Sequence, residues 1–402
     1  MVQSVCILGR QPAFGLAELE SLYSAGVVIP IGLYAAGLTK SVEEVQFMRL
    51  GGSTRLAKVL TEIPSTNWKD VETYLVKNVP KHLQYLPEGK LKLGLSTYGF
   101  SISPAKLTAT GLTLKKVIRA AGRSVRLVPN TENELNTAQV VHNHLTGTTG
   151  WELLLLQDGT KTILAQTTHV QDIDSYTLRD RGRPKRDARV GMLPPKLAQV
   201  IVNLATGEIQ SHESRVMSQG NHTVLDPFCG TGVLLQEALL MGYDAYGTDL
   251  DPRMIDYSQQ NLTWLTEKFP RLETQDSRLE EGDATTHTWQ PTPQIVACET
   301  YLGRPFTERP SGALLAQTIS EVNLIIKRFL ENLQPQLAGG TRMCLALPCW
   351  YDGRVQKHLP VLERLDAMGF ERVTFTHAAA EDLVYHREGQ IVGRELVTLV
   401  KK

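Results

Sequence analysis

The stretch "TVLDPFCGTGVLLQEALLMG", residues 223–242, constrains the fold more than any other part of the chain. A short apolar strand runs into a turn that contains Gly230 and Gly232, and a helix-like segment follows. Glycines remove side chains from such a turn, so the backbone can approach a ligand closely. The first N–H groups of the helix are also unpaired there. This stretch therefore predicts a ligand site at one edge of an α/β sheet.

The same alternation of strands and helices continues to the end of the chain. A second strand is predicted at 244–250, and Asp251-Pro252 is typical of a helix start. Further strands are predicted at 277–284, 294–299 and 342–348, with an apolar-striped helix at 313–333. The tail predicts two strands around a tight "REGQ" turn. Residues 193–402 are thus predicted to form a Rossmann-like, doubly wound sheet with a closing antiparallel hairpin.

The part of the chain before residue 175 has a mixed α+β pattern. Strands are predicted at 91–99 and in a hairpin around Asp158-Gly159, with a helix over 104–122. A length of 402 residues also predicts two or three domains. We therefore predict an N-terminal α+β region, 1–175, followed by an Arg- and Pro-rich linker, 176–192.

The overall charge identifies no partner, because Lys+Arg and Asp+Glu both number 42. Two segments nevertheless carry a local basic excess, 101–130 and 176–196. Such segments can attract a polyanion, or they can simply be solvated surfaces, and charge alone does not decide between these interpretations.

Cysteine usage and hydropathy indicate a reduced, cytoplasmic protein. The five cysteines are scattered and form no CxxC pair or Cys/His cluster, so no metal site is expected. The N-terminus lacks the layout of a signal peptide. The uncharged run 21–39 is interrupted by Gly and Pro, which favours paired short strands over a membrane span.

Two acidic residues follow the predicted strands at positions suited to a nucleoside. Asp249 ends the second strand, where a carboxylate can bind a ribose diol, and Asp283 follows the third, where it can accept from the exocyclic amine of adenine. No P-loop Lys-Ser/Thr follows the glycine turn, which disfavours a nucleoside triphosphate. The pattern fits S-adenosylmethionine. An NAD-type Rossmann domain is the alternative, although the turn is not GxGxxG, and Asp283 could also be an ordinary turn residue.

The blocks "VLDPFCGTGVLLQEAL" and "GTDLDPRMI" resemble the cofactor motifs of the archaeal and eukaryotic tRNA guanosine-10 N2-methyltransferases. The relatives of these enzymes join a THUMP RNA-binding domain to a class I methyltransferase domain. The resemblance extends to 179–205, 47–60 and 6–22. It implies a THUMP-like N-terminal region and a tRNA or structured RNA substrate. The sequence leaves open whether an activator subunit is needed.

The resemblance also implies roles for individual residues. Asp226, Gly230 and Gly232 would line the methionine end of the cofactor, with Met192 and Lys196 beneath it. Asp249 would bind the ribose and Asp283 the adenine. From the two basic segments we expect RNA phosphate contacts at five residues, Lys115, Lys116, Arg119, Arg183 and Lys185.

The stretch "IVACETYLG", 295–303, lies where that family has Asp-Pro-Pro-Tyr after its fourth strand. In the family motif, the Asp and a Pro carbonyl accept the hydrogens of the target amine, and the aromatic stacks on the base. Here both prolines are absent, but Glu299 and Tyr301 retain an acceptor and an aromatic ring. One alignment places Cys298 at the Asp position, and another places Glu299 there.

These residues predict a tRNA guanine-N2 methyltransferase that uses Glu299 and Tyr301 as catalytic residues. A catalytically inactive RNA-binding protein and a DNA amino-methyltransferase are the alternatives. Cys298 could be proposed as a nucleophile, but a small buried thiol is the better interpretation.

Overall fold

The computed structural model describes residues 1–187, 192–209, 222–272, 275–306, 308–352, 355–387 and 389–402. The chain divides into two compact units. The first comprises residues 1–16, 26–48 and 52–174, and the second comprises 17–25, 49–51 and 175–402.

The first unit is built on an eight-stranded sheet with the order β2-β3-β1-β4-β8-β7-β5-β6. Its strands are β1 Ser4–Leu8, β2 Val28–Ile31, β3 Ala35–Leu38, β4 Ser53–Ile63, β5 Leu91–Tyr98, β6 Val125–Leu127, β7 Gly150–Asp158 and β8 Lys161–Val170. Strand β5 is parallel to β6 and β7, and the other pairings are antiparallel. The helices are α2 Trp68–Asn78, α3 Pro104–Ala120 and α4 Thr137–His142, while α1 Pro12–Tyr23 contributes to both units. The predicted α+β pattern is confirmed.

Local sequence explains the elements of the first unit that were predicted. The Ser103 side chain accepts a hydrogen bond from the Lys106 N–H and so caps α3, with Pro104 at the first helical position. Gly159 has a φ of 55° in the β7–β8 turn, where glycine is favoured. The uncharged run 21–39 contains the paired strands β2 and β3, as expected. No helix in the described ranges is both long and apolar enough to cross a membrane.

The second unit contains a mostly parallel sheet with the order β11-β10-β9-β12-β13-β17-β15. Its strands are β9 Thr223–Asp226, β10 Asp244–Asp249, β11 Ser277–Glu281, β12 Ile295–Glu299, β13 Arg342–Asp352, β14 Val355–Lys357, β15 Phe370–Arg372, β16 Val384–Tyr385 and β17 Val392–Lys401. Strands β9 to β13 on this path pair in parallel, and β17 is antiparallel to β13 and β15. This is the doubly wound sheet with an antiparallel closure that the sequence predicted.

The helices of the second unit are α5 Ile173–Arg181, α6 Pro195–Thr206, α7 Val233–Leu240, α8 Pro252–Lys268 and α9 Gly312–Leu333. Helices α6 to α9 bury apolar side chains, whereas the residue that α5 buries is Arg179. Helix α9 buries Leu315, Val322, Ile326 and Phe329, as its apolar periodicity predicted. These residues pack in one core with side chains of β12, β13 and β17. The core therefore holds the carboxyl ends of the strands in fixed positions.

Two features of the chain were not anticipated from the sequence. Helix α5 occupies the beginning of the predicted linker, 176–192, of which residues 188–191 lie outside the described ranges. Residues 17–25 and 49–51 also group with the second unit. The physical reason is the fully buried Asn203 of α6, whose Nδ2 donates to Glu18 Oε1 at 2.7 Å and to the Arg49 carbonyl at 2.9 Å. Such long-range polar contacts leave no periodic signal in the sequence.

Candidate functional site

A cavity of about 1510 Å³ lies in the second unit at the carboxyl ends of β9, β10 and β12. In an open parallel sheet, ligands bind at this edge. Seven of the predicted site residues line the cavity: Met192, Asp226, Gly230, Asp249, Asp283, Glu299 and Tyr301. The sheet thus brings together residues that are separated by more than 100 positions in the sequence.

Gly230 anchors the glycine turn to the neighbouring strand. Its N–H donates to Asp249 Oδ2 at 2.9 Å, and its carbonyl accepts from Ser258 Oγ at 2.8 Å. Gly230 has a φ of 51°, and an added Cβ would find no heavy atom closer than the Phe228 carbonyl oxygen at 4.0 Å. Because Gly230 also lines the cavity, its missing side chain leaves space for a ligand against the backbone.

Gly232 does not line the cavity, but it shapes the turn. Its φ is 79° at the N-cap of α7, and an added Cβ would lie 2.9 Å from Ser258 Oγ. Both its left-handed backbone and its packing therefore require glycine.

The three strand-end carboxylates differ in burial. Asp226 is buried, and burial raises its pKa well above the ordinary value, with repulsion from Asp249 and Glu299 acting in the same direction. Burial also raises the pKa of Asp249, although the N–H groups of Asp251 and Gly230 oppose the shift. Asp283 is exposed and accepts from Thr285 N and Oγ1 at 2.9 and 2.8 Å. Two desolvated carboxylates and one solvated carboxylate therefore face the cavity.

Cys298 and Glu299 point to opposite faces of the sheet. Cys298 pairs with Leu345, is fully buried and belongs to the apolar core. Glu299 pairs with Ala346 and lines the cavity, where Arg394 Nε donates to its Oε1. Because side chains alternate along a strand, the carboxylate of Glu299 reaches the cavity and the thiol of Cys298 does not. Burial raises the pKa of the Glu299 carboxyl, and Arg394 opposes that shift.

Tyr301 follows β12 on a loop that is held to β13. The N–H of Thr300 donates to the Ala346 carbonyl at 3.1 Å, and Thr300 is buried. Tyr301 lines the cavity with 44% of its surface exposed. Its ring is therefore available to a flat ligand from the cavity side.

Further residues line the cavity that the sequence did not indicate. Tyr351 at the end of β13 and His386 after β16 have ring centroids 3.9 Å apart and form an aromatic wall. Asp187 is buried and forms an ion pair with Arg253 at 3.4 Å. Their sequence contexts contain no recognisable motif, and only the tertiary fold brings them to the cavity.

Met192 and Lys196 are placed differently. Met192 lines the cavity and its Sδ accepts from Arg186 Nε at 3.3 Å. Lys196 does not line the cavity. Its Nζ lies 5.0 Å from the ring centroid of Tyr176, and burial lowers its pKa. The structure therefore separates this pair, with Met192 at the cavity and Lys196 against an aromatic ring.

Three of the predicted RNA-binding residues lie together on α3. Lys116 and Arg119 are exposed and Lys115 is partly buried, on the helix whose other face buries Leu107 and Leu114. Their spacing places these basic side chains close together on the surface of the first unit.

Arg183 and Lys185 differ from the expectation of a solvated basic surface. Arg183 is only 3% exposed, so its guanidinium is not presented on the surface. The Lys185 backbone N–H and carbonyl both bond to the Asn261 side chain, at 2.9 and 3.0 Å, and its Nζ lies 5.2 Å from the ring centroid of Tyr257. For Arg183 the prediction of an exposed basic residue is wrong, because this part of the chain packs against the second unit's helices.

Comparisons with known proteins find a family model, curated relatives and solved structures that are similar to this chain. A family model described as a DNA methylase, N6_N4_Mtase, matches residues 160–260. Two tRNA (guanine(10)-N2)-dimethyltransferases are each 30% identical to this chain. The match covers 166 residues for the enzyme of Methanothermobacter thermautotrophicus and 164 residues for that of Pyrococcus abyssi. These matches cover 40% of this chain and 40% of each relative, so the chain spans about two fifths of the length of the curated relatives it matches. Among solved structures, TrmN from Thermus thermophilus is 15% identical, with a TM-score of 0.49 and both chains covered completely.

The strand order and the cavity at the strand ends define the second unit as a Rossmann-like, doubly wound fold with a ligand site at the carboxyl ends of its strands. Over the matched region the chain is similar to the tRNA (guanine(10)-N2)-dimethyltransferases, which confirms the resemblance inferred from its motifs.

We predict that Gly232→Ala destabilises the second unit more than Gly242→Ala does. Both glycines have left-handed backbones, with φ of 79° and 84°, but an added Cβ meets Ser258 only at Gly232. Backbone strain should be common to both variants, and the clash should add about 1–3 kcal/mol at Gly232. Urea unfolding of the two variants and the wild type measures the difference. Equal destabilisation would show that Ser258 does not restrict the turn.

Proposed function

We propose that this protein is an S-adenosylmethionine-dependent RNA methyltransferase that methylates the 2-amino group of guanine in tRNA. The observation that carries the proposal is the placement of Glu299. Its carboxylate opens on the same cavity as Asp226, Asp249 and the glycine turn, so an acceptor for an amine lies beside a candidate cofactor site.

The residues around the glycine turn fit S-adenosylmethionine. Gly230 leaves open space against the backbone, and Asp249 lies at the end of the second strand, where a ribose can hydrogen-bond to its carboxylate. Asp226 provides a buried carboxylate for the cationic methionine end, and the exposed Asp283 provides an acceptor for the adenine amine. When bound, the cofactor supplies an electrophilic methyl group.

The chain's own residues would act on the nucleophile. An amine conjugated to a base is a weak nucleophile because its lone pair is delocalised into the ring. A carboxylate that accepts an amine hydrogen favours the attacking form and stabilises the positive charge that develops on nitrogen. Glu299 can do this through Oε2, while Tyr301, Tyr351 and His386 offer ring faces on which a base can stack. Methyl transfer then needs positioning and no covalent intermediate.

RNA is the proposed substrate because of the curated relatives and the basic face of α3. Lys116 and Arg119 are exposed and can contact phosphates. The match to a DNA methylase model makes DNA the second candidate substrate. An RNA-binding protein without activity is the third interpretation, and the accessible acceptor at Glu299 disfavours it.

We predict that cofactor affinity rises as pH rises through the raised pKa values of Asp226 and Asp249. The pKa values of Asp226 and Asp249 are raised in the folded protein, so their contribution to stability is present at low pH and is lost as pH rises through those values. A cationic cofactor binds the ionised carboxylates and should release protons as it binds. Calorimetry in two buffers of different ionisation enthalpy measures this release.

Asp249→Asn should weaken cofactor binding by about 1–3 kcal/mol, because the amide cannot provide the same charged acceptor. Asp244→Asn, at the opposite end of the same strand, is the matched control and should bind normally. Equal affinity of the Asp249 variant and the wild type would contradict the assigned site.

We predict that Glu299→Gln retains cofactor and RNA binding but loses most of the methylation rate. The amide keeps an oxygen but loses the negative charge, a change of about 2.7–4 kcal/mol in transition-state stabilisation. Tyr301→Ala should weaken base placement by about 1–3 kcal/mol, whereas Tyr301→Phe should retain the stacking face. The measurement is transfer of label from the cofactor to undermethylated bulk tRNA, followed by nucleoside mapping.

Glu331→Gln makes the same chemical change at an exposed position on α9 and should keep the wild-type rate. Labelled N2-methylguanosine from the wild type supports the proposal. Equal labelling by Glu299→Gln would remove Glu299 from the mechanism. RNA binding without labelling by the wild type would favour the inactive RNA-binding protein, and labelling of DNA instead of tRNA would favour the DNA enzyme.

We predict that charge reversal at Lys115, Lys116 and Arg119 weakens tRNA binding and flattens its salt dependence. Loss of about three phosphate contacts should lower the slope of log Kd against log salt by roughly 0.7–0.9 for each contact. The control is the same charge reversal at three exposed residues of the second unit, Lys268, Arg364 and Lys402. Arg328 is also exposed, but it lines the cavity and is therefore left unchanged. If both triple variants lose affinity equally, net charge and not the face of α3 governs binding.

A further inference from the structure

Arg394 of β17 is the basic residue in direct contact with the candidate catalytic carboxylate. Its Nε donates to Glu299 Oε1, and its side chain is almost completely buried. Both residues line the cavity. A buried guanidinium at this position was not predicted from the sequence, because it comes from a strand 95 residues further along the chain.

The sheet register explains how the two residues meet. Glu299 pairs with Ala346, and Arg394 pairs with Pro348, so both lie on one face of the sheet, on either side of β13. Ala346 and Pro348 have short side chains, so the long side chain of Arg394 can cross β13 to reach Glu299. The ion pair is therefore fixed by three strands and not by a loop.

The ion pair between Arg394 and Glu299 leaves polar atoms of both side chains available to hydrogen-bond a ligand. Within the described part of the chain, no hydrogen bond engages Glu299 Oε2 or the terminal nitrogens Nη1 and Nη2 of Arg394. Oε1 accepts from Arg394 Nε but retains a second lone pair. Because Arg394 Nε bonds to Oε1, the pair can offer a ligand a row of acceptor, acceptor and donor, made by Oε2, Oε1 and a terminal N–H of Arg394.

This row is complementary to one nucleobase. Guanine presents the 2-amino N–H, the N1–H and the O6 carbonyl in order along its Watson–Crick edge, which is donor, donor and acceptor. Adenine and cytosine have a ring nitrogen that accepts hydrogen bonds directly beside the amine. This nitrogen would face Oε1, and the two acceptors would have no hydrogen between them. A site that leaves polar atoms unpaired with the wrong base discriminates strongly against it.

We propose that Arg394 is a specificity-determining residue that donates from a terminal nitrogen to O6 of the target guanine while Glu299 accepts from N1–H and the 2-amino group. This inference rests on the proposed function and names the contact that selects the base. It predicts that recognition depends on the O6 acceptor as well as on the amine that is methylated.

The test uses tRNA whose mapped target guanosine is replaced by 2,6-diaminopurine riboside or by inosine. Diaminopurine keeps the 2-amino group but exchanges O6 for an amine donor and N1–H for a ring acceptor, so only the difference between the wild type and the Arg394 variants reports on the contact to O6. Inosine keeps O6 and N1–H but lacks the 2-amino group. The proteins are the wild type, Arg394→Gln, Arg394→Lys and the control Arg387→Gln, whose side chain contacts Tyr385 on the same hairpin.

The wild type should prefer guanosine over diaminopurine by about 100-fold or more in kcat/KM, and Arg394→Gln should reduce this preference by about tenfold or more. Arg394→Lys retains a charged donor on a long side chain and should keep part of the preference, whereas the shorter, neutral Gln amide should not reach O6. Arg387→Gln should keep all of the preference. Binding gives a second readout. Arg394→Gln should weaken affinity for the inosine tRNA and leave affinity for the diaminopurine tRNA unchanged.

If Arg394 only positions Glu299, the Gln variant will lose rate equally on guanosine and diaminopurine, and the specificity role is overturned. If Arg394→Gln binds the inosine tRNA as tightly as the wild type does, the specificity role of Arg394 is overturned as well. Absence of methyl transfer from the wild type to guanosine would instead contradict the proposed function, while the two binding measurements would still test Arg394. The melting temperature and cofactor affinity of each variant show whether it folds. If Arg394→Gln does not fold, the same comparisons are made with Arg394→Lys.

Discussion

The hydrogen bond from the Gly230 N–H to the Asp249 carboxylate organises the whole site. It joins the turn after β9 to the end of β10, and Ser258 of α8 holds the other side of the same peptide through the Gly230 carbonyl. The turn after β9, the end of β10 and helix α8 are therefore tied to one glycine residue. Because the turn is fixed in this way, the backbone faces the cavity without a side chain, and the carboxylates of Asp226 and Asp249 stand beside it. These hydrogen bonds hold the edge of the sheet against which the remaining cavity residues can position a ligand.

The charge distribution in the cavity depends on where the sheet edge holds its carboxylates. Asp226, Asp249 and Glu299 are held close enough for their charges to interact, and burial disfavours the ionised form of each. Arg394 compensates one of these charges directly. The other two carboxylates have backbone N–H donors but no cationic partner among their principal interactions. A site with this imbalance favours a cationic ligand, which supports the proposal of a sulfonium cofactor more strongly than the presence of acidic residues alone.

Features that depend on local sequence were predictable, and features that depend on sheet register were not. The strand, glycine turn and helix at 223–242 and the Asp251 cap of α8 were evident because their signals lie within a few residues. The sequence could not choose between Cys298 and Glu299, since the choice depends on which face of β12 is packed. The core around Leu345 and α9 takes Cys298, and the alternation along the strand then directs Glu299 to the cavity. The burial of Arg183 and the aromatic wall of Tyr351 and His386 were missed for the same reason, because they arise from tertiary contacts.

The departure from Asp-Pro-Pro-Tyr changes how an acceptor can be held in place. Two prolines would stiffen the loop after the strand, whereas here Glu299 is the last residue of β12 and Thr300 is bonded to the Ala346 carbonyl. Glutamate is one methylene longer than aspartate and has more rotamers to restrict. The ion pair with Arg394 provides that restriction from across β13. The absence of the prolines and the buried arginine therefore belong to one arrangement, in which a side-chain contact and not a stiff backbone orients the carboxylate.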